Sequence, residues 1–117
     1  MTLRFYGKKN CVTCQKAKAF LESQNVAFEE LPIETQPPTA EILARLVDEA
    51  NVKASLNSRS AIYKAKNLGQ NLPDKSTALQ LMLTDPNLIK RPVIMNDQGA
   101  LYQGFDEASL KAFLRQS

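Results

Sequence analysis

The sequence of 117 residues predicts a single α/β domain, residues 1–117, with a mixed β-sheet and a helical insertion. Two observations predict this class. The chain opens with the pattern of a β-α-β unit and closes with that of a β-hairpin followed by a helix. Helical patterns fill the stretch between them, about residues 38–88, which we therefore expect to be the insertion.

The opening unit is predicted from three short patterns. Apolar residues favour strands over Thr2–Tyr6 and Ala27–Ile33, and apolar residues at helical spacing favour a helix over Val12–Ser23. The connections are short, and two strands joined through a helix normally lie parallel with a right-handed crossover. We therefore expect these two strands to pair in parallel.

The middle of the chain is predicted to be helical. Two prolines at positions 37 and 38 interrupt the first unit, and Thr39 is a suitable N-cap for a helix over about Ala40–Ala50. Further helical patterns cover about Ser58–Lys66 and Ser76–Thr84, with glycine and proline between them. These segments make up the predicted insertion.

The last part of the chain predicts a hairpin and a helix. Strand patterns cover Pro92–Met95 and Leu101–Gln103, and the turn Asn96–Gly99 joins them. Asp106 can cap a final helix that ends near Arg115. The complete order, β-α-β, helices, β-β-α, resembles a thioredoxin- or glutaredoxin-like sheet that carries a helical insert.

The composition excludes several classes of function. With 44% apolar and 23% charged residues the chain is typical of a globular domain, and no segment approaches the roughly 18 uninterrupted apolar residues of a membrane span. The chain enters a strand at once, without a basic and apolar leader, so we expect a protein of the reducing cytoplasm that binds no membrane. The net charge of +3, from 15 basic and 12 acidic residues, is spread along the chain, which argues against direct nucleic-acid binding.

The strongest chemical signal is the Cys-x-x-Cys motif formed by Cys11 and Cys14, the two cysteines of the chain. The motif stands between a predicted strand and a predicted helix, where it indicates redox chemistry. A structural zinc site needs about four N, S or O ligands, and the chain has no histidine and no second cysteine pair, so we expect no metal site. The absence of histidine also excludes Ser-His and Cys-His nucleophile pairs.

The two cysteines are expected to have different roles. Cys11 falls at the N-terminus of the predicted helix, where unpaired N–H groups and the helix dipole stabilise a thiolate. Positive charge nearby is contributed by Lys8, Lys9 and Lys16. Cys14 lies on a helical stripe that should face the sheet, so we interpret Cys11 as the nucleophile and Cys14 as the resolving thiol. The alternative is that both are inert core cysteines.

Four residues outside the cysteine pair are candidates for binding an anionic substrate: Arg59, Arg91, Pro92 and Lys9. Arg59 stands at the start of a predicted helix, and Arg91 directly precedes Pro92 and its strand. Arginine forms bidentate contacts with oxyanions, which suits a phosphate-like ligand or an oxidised sulfur. Each of the charged residues could instead be an ordinary surface residue.

Four stretches of the chain form a set of motifs. They are Asn-Cys-Val-Thr-Cys-Gln-Lys-Ala at 10–17, Leu-Asn-Ser-Arg-Ser with Tyr63-Lys64 at 56–64, Asp-Pro-Asn-Leu-Ile-Lys-Arg-Pro-Val at 85–93, and Gly104-Phe105. The set is similar to the arsenate reductase/Spx family over nearly the whole chain, and Leu-Ile-Lys-Arg-Pro is its most specific element. The resemblance implies a thioredoxin-like domain with a helical insert. It further implies a cis proline at Pro92 facing the cysteines, and anion-contacting side chains at Arg59 and Arg91.

The chain departs from that family at three positions. Glutaredoxin-coupled arsenate reductases of the family carry a histidine four residues before the catalytic cysteine and an arginine four residues after it, where this chain has Gly7 and Gln15. The Spx branch shares the Cys-x-x-Cys but has arginine directly after the second cysteine, which is again Gln15. A third arginine, expected near the end of the hairpin, is replaced by Gly104-Phe105. The anion site is thus incomplete, and we expect weak arsenate chemistry.

The resemblance implies two functions from different classes. One is a cytoplasmic thiol–disulfide reductase with no bound cofactor, which uses glutathione as a thiol co-substrate or works with glutaredoxin or thioredoxin. The other is a Spx-like regulator that binds RNA polymerase through its alpha subunit and uses the cysteine pair as a redox switch. We favour the reductase and keep the regulator, or a plain binding module, as alternatives.

Overall fold

The structure is a computed structural model that describes residues 2–116. Along the chain the elements are β1 Thr2–Gly7, α1 Val12–Ser23, β2 Ala27–Pro32, α2 Ala40–Leu46, α3 Ala61–Ala65, α4 Lys75–Thr84, β3 Val93–Met95, β4 Leu101–Gln103 and α5 Glu107–Arg115. Two short 3-10 turns, Val52–Ser55 and Pro86–Leu88, lie before α3 and after α4. Contacts divide the chain into two compact units: the first comprises the residues up to Gln36 and from Arg91 onward, and the second is Pro37–Lys90.

The first unit is built on a four-stranded mixed sheet in the order β2-β1-β3-β4. β1 pairs in parallel with β2, because α1 carries the chain back to the edge of the sheet where β1 started. β3 pairs antiparallel with β1, with Val93 opposite Tyr6, and β4 completes the hairpin. The predicted mixed sheet and its element order are confirmed. The pairing of Tyr6 with Val93 brings the turn before Cys11 and the residues before β3 to the same edge of the sheet.

The core of the first unit lies between one face of the sheet and the helices α1 and α5. Its buried members are Leu3, Phe5, Cys14, Ala17, Leu21, Ile94, Leu110 and Phe113. Cys14, Ala17 and Leu21 follow the helical spacing that predicted a sheet-facing stripe on α1. Cys14 is therefore part of the core, as expected.

The hairpin and the last helix are held by short polar side chains. Oδ1 of Asn96 accepts two backbone N–H groups of the turn, at 3.0 and 2.8 Å, and Gly99 has a φ of 84°, a left-handed conformation that suits glycine. Asp106 caps α5 as predicted, because its carboxylate accepts the N–H of Ser109 at 3.0 Å. The hydroxyl of Tyr102 accepts the N–H of Asp106 at 3.0 Å and so ties β4 to the start of α5.

In the second unit, the helix predicted over Ala40–Ala50 is shorter and ends at Leu46. Val47 already has an extended backbone, with a ψ of 122°. The carboxylate of Asp48 then accepts the N–H of Ala50 at 3.0 Å, a local turn that competes with the helix. The apolar spacing of this segment continues past the point where the helix ends, which is why the prediction was too long.

The helix α3 begins later than predicted. Ser60 is its N-cap and accepts the N–H of Tyr63 at 3.3 Å, so the helix starts at Ala61 rather than at Ser58. α4 starts at Lys75, one residue before the predicted position, and contacts α2 and the second 3-10 turn. None of the helices described between residues 2 and 116 is long and apolar enough to cross a membrane.

Candidate thiol site

Cys11 stands at the start of α1, where the turn after β1 ends. Its backbone is extended, with φ −107° and ψ 114°, and its Sγ accepts the N–H of Cys14 at 3.2 Å. The sulfur itself is therefore the N-cap of the helix. Cys11 is half-buried whereas Cys14 is fully buried, and both thiols are free. The two side chains share one helical turn but differ in their access to solvent.

The pKa of Cys11 is set by opposing effects. Burial alone would raise it. Two residues outweigh burial and lower the pKa of Cys11 below its ordinary value. Cys14 donates hydrogen bonds from its side chain and its backbone N–H, and Arg91 contributes a hydrogen bond and a positive charge. The predicted activation at a helix N-terminus thus has a basis in the N–H of Cys14. The assisting charge comes from Arg91, and the three lysines proposed from the sequence are not among the groups that lower the pKa.

The pKa of Cys14 moves in the opposite direction. Burial and the hydrogen bond with Cys11 raise it, and the negative charge of a Cys11 thiolate raises it further. The backbone N–H of Lys8 and the charge of Arg91 oppose this, and the result is a pKa of about 12. Near neutral pH Cys14 is therefore a thiol, and Cys11 holds the larger share of thiolate.

Arg91 and Pro92 lie directly before β3. Their peptide bond is cis, as the resemblance implied, and Pro92 is buried. The carbonyl of Pro92 accepts the N–H of Gly104 at 2.8 Å, which joins this segment to the end of β4. Arg91 is half-buried and hydrogen-bonds Cys11. Of the residues predicted for the site, the structure brings together Cys11, Cys14 and Arg91.

Lys9 is exposed in the turn between β1 and α1. Its carbonyl accepts a hydrogen bond from Nε2 of Gln15 at 3.1 Å, so Gln15 ties that turn to the start of the helix. Sequence reasoning identified Gln15 only as the position of a missing arginine, and no local pattern marks this hydrogen bond. The role of Lys9 in anion binding stays a prediction.

Gly7 ends β1 at the position where the reductases carry histidine. A Cβ atom placed on it would lie 2.7 Å from Cε1 of Phe5 and 3.3 Å from Sγ of Cys14. The Phe5 ring is buried in the core, so it has little freedom to move aside. The packing therefore leaves no room at this position for a side chain that could assist Cys11.

Arg59 belongs to the second unit, in an exposed turn before α3. Its N–H donates to Oδ1 of Asn57 at 3.1 Å, and Nδ2 of Asn57 donates to the carbonyl of Asn87 at 3.0 Å. Asn57 thus holds the turn that carries Arg59 against the segment after α4. Asn57 stands in the motif at 56–64, but its role in this turn was not predicted, although asparagine two residues before a turn residue is a known turn signal. The anion-binding role of Arg59 stays a prediction.

The chemistry available in the first unit is that of two thiols and a guanidinium group. Within residues 2–116, no group of three or more His, Cys, Asp or Glu side chains is placed to hold a metal ion. A thiolate with a protonated thiol in the same helical turn can attack a disulfide and then resolve the mixed disulfide that forms. Thiol–disulfide exchange is therefore the reaction that this geometry supports.

Comparison with known proteins agrees with these motifs. The sequence profile of the ArsC family matches residues 6–113 of the chain. The global transcriptional regulator Spx of Streptococcus pneumoniae is 34% identical over 110 residues, which cover 92% of this chain and 82% of that protein.

Solved structures share the architecture. An ArsC family related protein from Bacteroides fragilis superposes with a TM-score of 0.83 at 26% identity, covering 96% of this chain and 98% of that one. A protein described as a possible arsenate reductase from Streptococcus mutans superposes with a TM-score of 0.78 at 26% identity, covering 93% and 97%. The chain therefore belongs to the ArsC family and has its thioredoxin-like fold.

Proposed function

We propose that the protein is a cytoplasmic thiol–disulfide oxidoreductase in which Cys11 is the nucleophile and Cys14 the resolving thiol. The observation that carries this proposal is the opposite shift of two pKa values within one helical turn. The pKa is lowered at the half-buried Cys11 and raised to about 12 at the buried Cys14. A half-buried thiol whose pKa is lowered, beside a buried thiol that keeps its proton, suits a two-step exchange.

In the first step the Cys11 thiolate attacks one sulfur of a substrate disulfide. The substrate S–S bond breaks, its second sulfur leaves as a thiolate, and a mixed disulfide joins Cys11 to the substrate. The guanidinium of Arg91, whose hydrogen bond and charge lower the pKa of Cys11, is proposed to hold an anionic substrate group or an oxidised sulfur. Lys9, in the same unit, is proposed to assist in binding that anion, and Arg59, in the second unit, is proposed as a further anion-contacting residue.

The second step, release of the substrate from Cys11, depends on how the pKa of Cys14 changes once Cys11 is part of the mixed disulfide. Burial raises the pKa of Cys14, and so do the hydrogen bond and the charge of Cys11. The two effects of Cys11 end when its sulfur enters a mixed disulfide, so the pKa of Cys14 falls at that moment. Cys14 then loses its proton and attacks the Cys11 sulfur, and the bound substrate sulfur leaves. The substrate has gained two electrons, and the protein holds a Cys11–Cys14 disulfide.

Reducing equivalents must then reopen the protein disulfide. We propose glutathione, glutaredoxin or thioredoxin as the donor, with no bound cofactor. Arsenate is a poor substrate in this proposal, because Gly7 and Gln15 offer no charged contact where the reductases have two. A hydrogen bond to a charged group contributes about 1.5–3 kcal/mol, so the loss of two such contacts weakens anion binding strongly.

The test is turnover of a disulfide and of arsenate by the purified protein, with glutathione, glutaredoxin and thioredoxin systems supplied separately. We expect disulfide reduction with at least one donor and arsenate reduction close to background. Cys11→Ser should abolish turnover, and Cys14→Ser should stop it after the mixed disulfide has formed. Turnover by Cys11→Ser, or robust glutaredoxin-dependent arsenate reduction, would contradict the proposal.

A second function is favoured by the relatives named global transcriptional regulator Spx, which are 31% and 34% identical to this chain. In this alternative the cysteine pair is a redox switch, and the partner is RNA polymerase, bound through its alpha subunit. Calorimetric titration of the purified alpha subunit with the reduced and the oxidised protein tests it. Binding that depends on the redox state would favour the regulator, whereas disulfide turnover without binding would favour the reductase.

A further inference from the structure

A cleft of about 440 Å³ lies in the first unit, next to the turn that leads into Cys11. One wall is the turn 7–10, which precedes Cys11, and the other is formed by residues 30–34 at the end of β2. Gly7, which lines the cleft, also lies against Cys14, since a Cβ on Gly7 would come within 3.3 Å of its Sγ. The volume is within the range of about 300–1,000 Å³ typical of ligand sites. Of the residues that line the cleft, the exchange steps described above use Lys9 alone.

The residues that line the cleft include two lysines and two glutamates, Lys8, Lys9, Glu30 and Glu34, and Lys18, which pairs with Glu30, lies outside the lining. The ion pairs are Lys18–Glu30, at 2.8 Å, and Lys8–Glu34, at 3.4 Å. The ammonium group of Lys9 takes part in no ion pair with any residue between 2 and 116. Lys9 is followed by Asn10, which lines the cleft and directly precedes Cys11. A negatively charged group that enters the cleft would therefore meet the ammonium group of Lys9, two residues before Cys11 in the sequence.

A second contact is available on the helix itself. Val12 directly follows Cys11 and is 59% exposed, which makes it one of the exposed large apolar side chains of the described chain. A small acidic molecule would use the cleft alone. A polypeptide segment passing over Cys11 would place one residue in the cleft and another against Val12.

We propose that the cleft is a specificity subsite for an acidic residue beside the disulfide cysteine of a polypeptide substrate. An apolar residue on the other side of that cysteine contacts Val12. This inference rests on the proposed oxidoreductase function and names its substrate class. The Cys11 thiolate bonds to the substrate cysteine, the substrate S–S bond breaks, and the other sulfur leaves with the electron pair. The acidic residue stays with the bound half, where Lys9 attracts its carboxylate.

The experiment uses short cysteine peptides activated as 2-pyridyl disulfides, which release a coloured pyridinethione when Cys11 attacks. Three peptides carry leucine on one side of the cysteine and aspartate, asparagine or lysine on the other. A fourth substrate is a small acidic pyridyl disulfide that is not a peptide. We expect the aspartate peptide to react faster than the asparagine peptide, and the lysine peptide to react slowest. An exposed charge pair supports a difference of up to about fivefold per charge, and added salt should reduce it.

Two surface variants should change the preference for the aspartate peptide in opposite directions. Lys9→Met should abolish the preference for aspartate over asparagine. Glu34→Gln removes a negative charge from the rim and should increase that preference. Lys111→Met, an exposed lysine on α5, is the matched control and should leave the preference unchanged. Iodoacetamide, which is neutral and small, should react with Cys11 in Lys111→Met at the rate of the unmodified protein, and its rate with each of the other variants serves to normalise the peptide rates of that variant.

The outcomes separate this inference from the function on which it rests. Equal rates with all three peptides, or a preference that survives Lys9→Met, would overturn the subsite while leaving the oxidoreductase intact. The small acidic disulfide reacting as fast as the aspartate peptide would overturn the polypeptide assignment. If iodoacetamide labels Cys11 but none of the disulfides reacts, the proposed function itself fails, and the subsite fails with it.

Discussion

Replacing Arg91 with methionine tests the electrostatic basis of the site. The change keeps much of the side-chain volume and removes the hydrogen bond and the charge that stabilise the Cys11 thiolate. Burial of Cys11 raises its pKa, and with Arg91 gone that effect is less opposed. The pKa of Cys11 should therefore rise, which means less thiolate at any given pH near neutrality.

The magnitude follows from the kind of contact that is lost. A hydrogen bond to a charged group contributes about 1.5–3 kcal/mol. Both Cys11 and Arg91 are only half-buried, and solvent screens charges at such positions, so the lower end of that range applies. Since about 1.4 kcal/mol is a factor of ten, Arg91→Met should reduce the thiolate population near neutral pH roughly tenfold. Arg91→Lys keeps the positive charge but lacks the planar guanidinium group. Its Cys11 thiolate population should lie between that of the unmodified protein and that of Arg91→Met.

The assay is the rate of Cys11 alkylation by iodoacetamide as a function of pH, with the labelled residue mapped by mass spectrometry. Arg4→Met is the matched control, since Arg4 is an exposed arginine on β1 in the same unit. Its profile should coincide with that of the unmodified protein. An unchanged profile in Arg91→Met, or an equal change in Arg4→Met, would refute the assignment of the stabilising charge to Arg91.

Three further outcomes are expected. Near neutral pH alkylation should label Cys11 and spare Cys14, because burial and Cys11 itself raise the Cys14 pKa to about 12; labelling of Cys14 first would reverse their roles. Gly7→Ala should lower the free energy of unfolding by about 1–3 kcal/mol, by the usual cost of overpacking. The added methyl would lie 2.7 Å from Cε1 of Phe5, and an unchanged urea midpoint would show that the core adjusts. Tyr102→Phe should lower the free energy of unfolding by about 0.5–1.5 kcal/mol in the same assay, because the Tyr102 hydroxyl accepts the N–H of Asp106, the N-cap of α5. An unchanged free energy of unfolding would mean that water replaces this hydrogen bond.

The elements that sequence patterns predicted well are those with complete local signals. The helix Val12–Ser23 was predicted with its observed bounds, since an apolar stripe and a change from strand to helix period mark both ends. The turn Val52–Ser55 was not predicted, because a 3-10 turn of this length is too short to show a period. α2 was predicted too long, because the local hydrogen bond of Asp48 ends the helix while its apolar spacing continues.

The site shows the same division between local and distant information. The cysteine with the lowered pKa, Cys11, could be identified because a cysteine at a helix start is a local feature. For the stabilising charge, the sequence pointed to Lys8, Lys9 and Lys16, which are close to Cys11 in the chain, whereas the charge that lowers the pKa of Cys11 belongs to Arg91. Arg91 reaches Cys11 through the pairing of β1 with β3, which sets Val93 opposite Tyr6. A contact created by strand register has no signature in either segment alone.

The residues at the three departures from the arsenate reductase pattern each have a structural role in this protein. Gly7 leaves the space that the Phe5 ring fills, and Gly104 has a left-handed φ of 84° while its N–H donates at 2.8 Å to the carbonyl before β3. Gln15 holds the carbonyl of Lys9. A histidine at position 7 would displace a core ring, and an arginine at 104 would strain the backbone. An arginine at 15 would lose the bond to Lys9 and set a cation at a helix N-terminus, which the helix dipole disfavours. The histidine and the two arginines of that pattern would therefore require a rebuilt core and sheet edge, whereas the proposed disulfide exchange needs only the cysteine pair and the Arg91 charge that the fold already supplies.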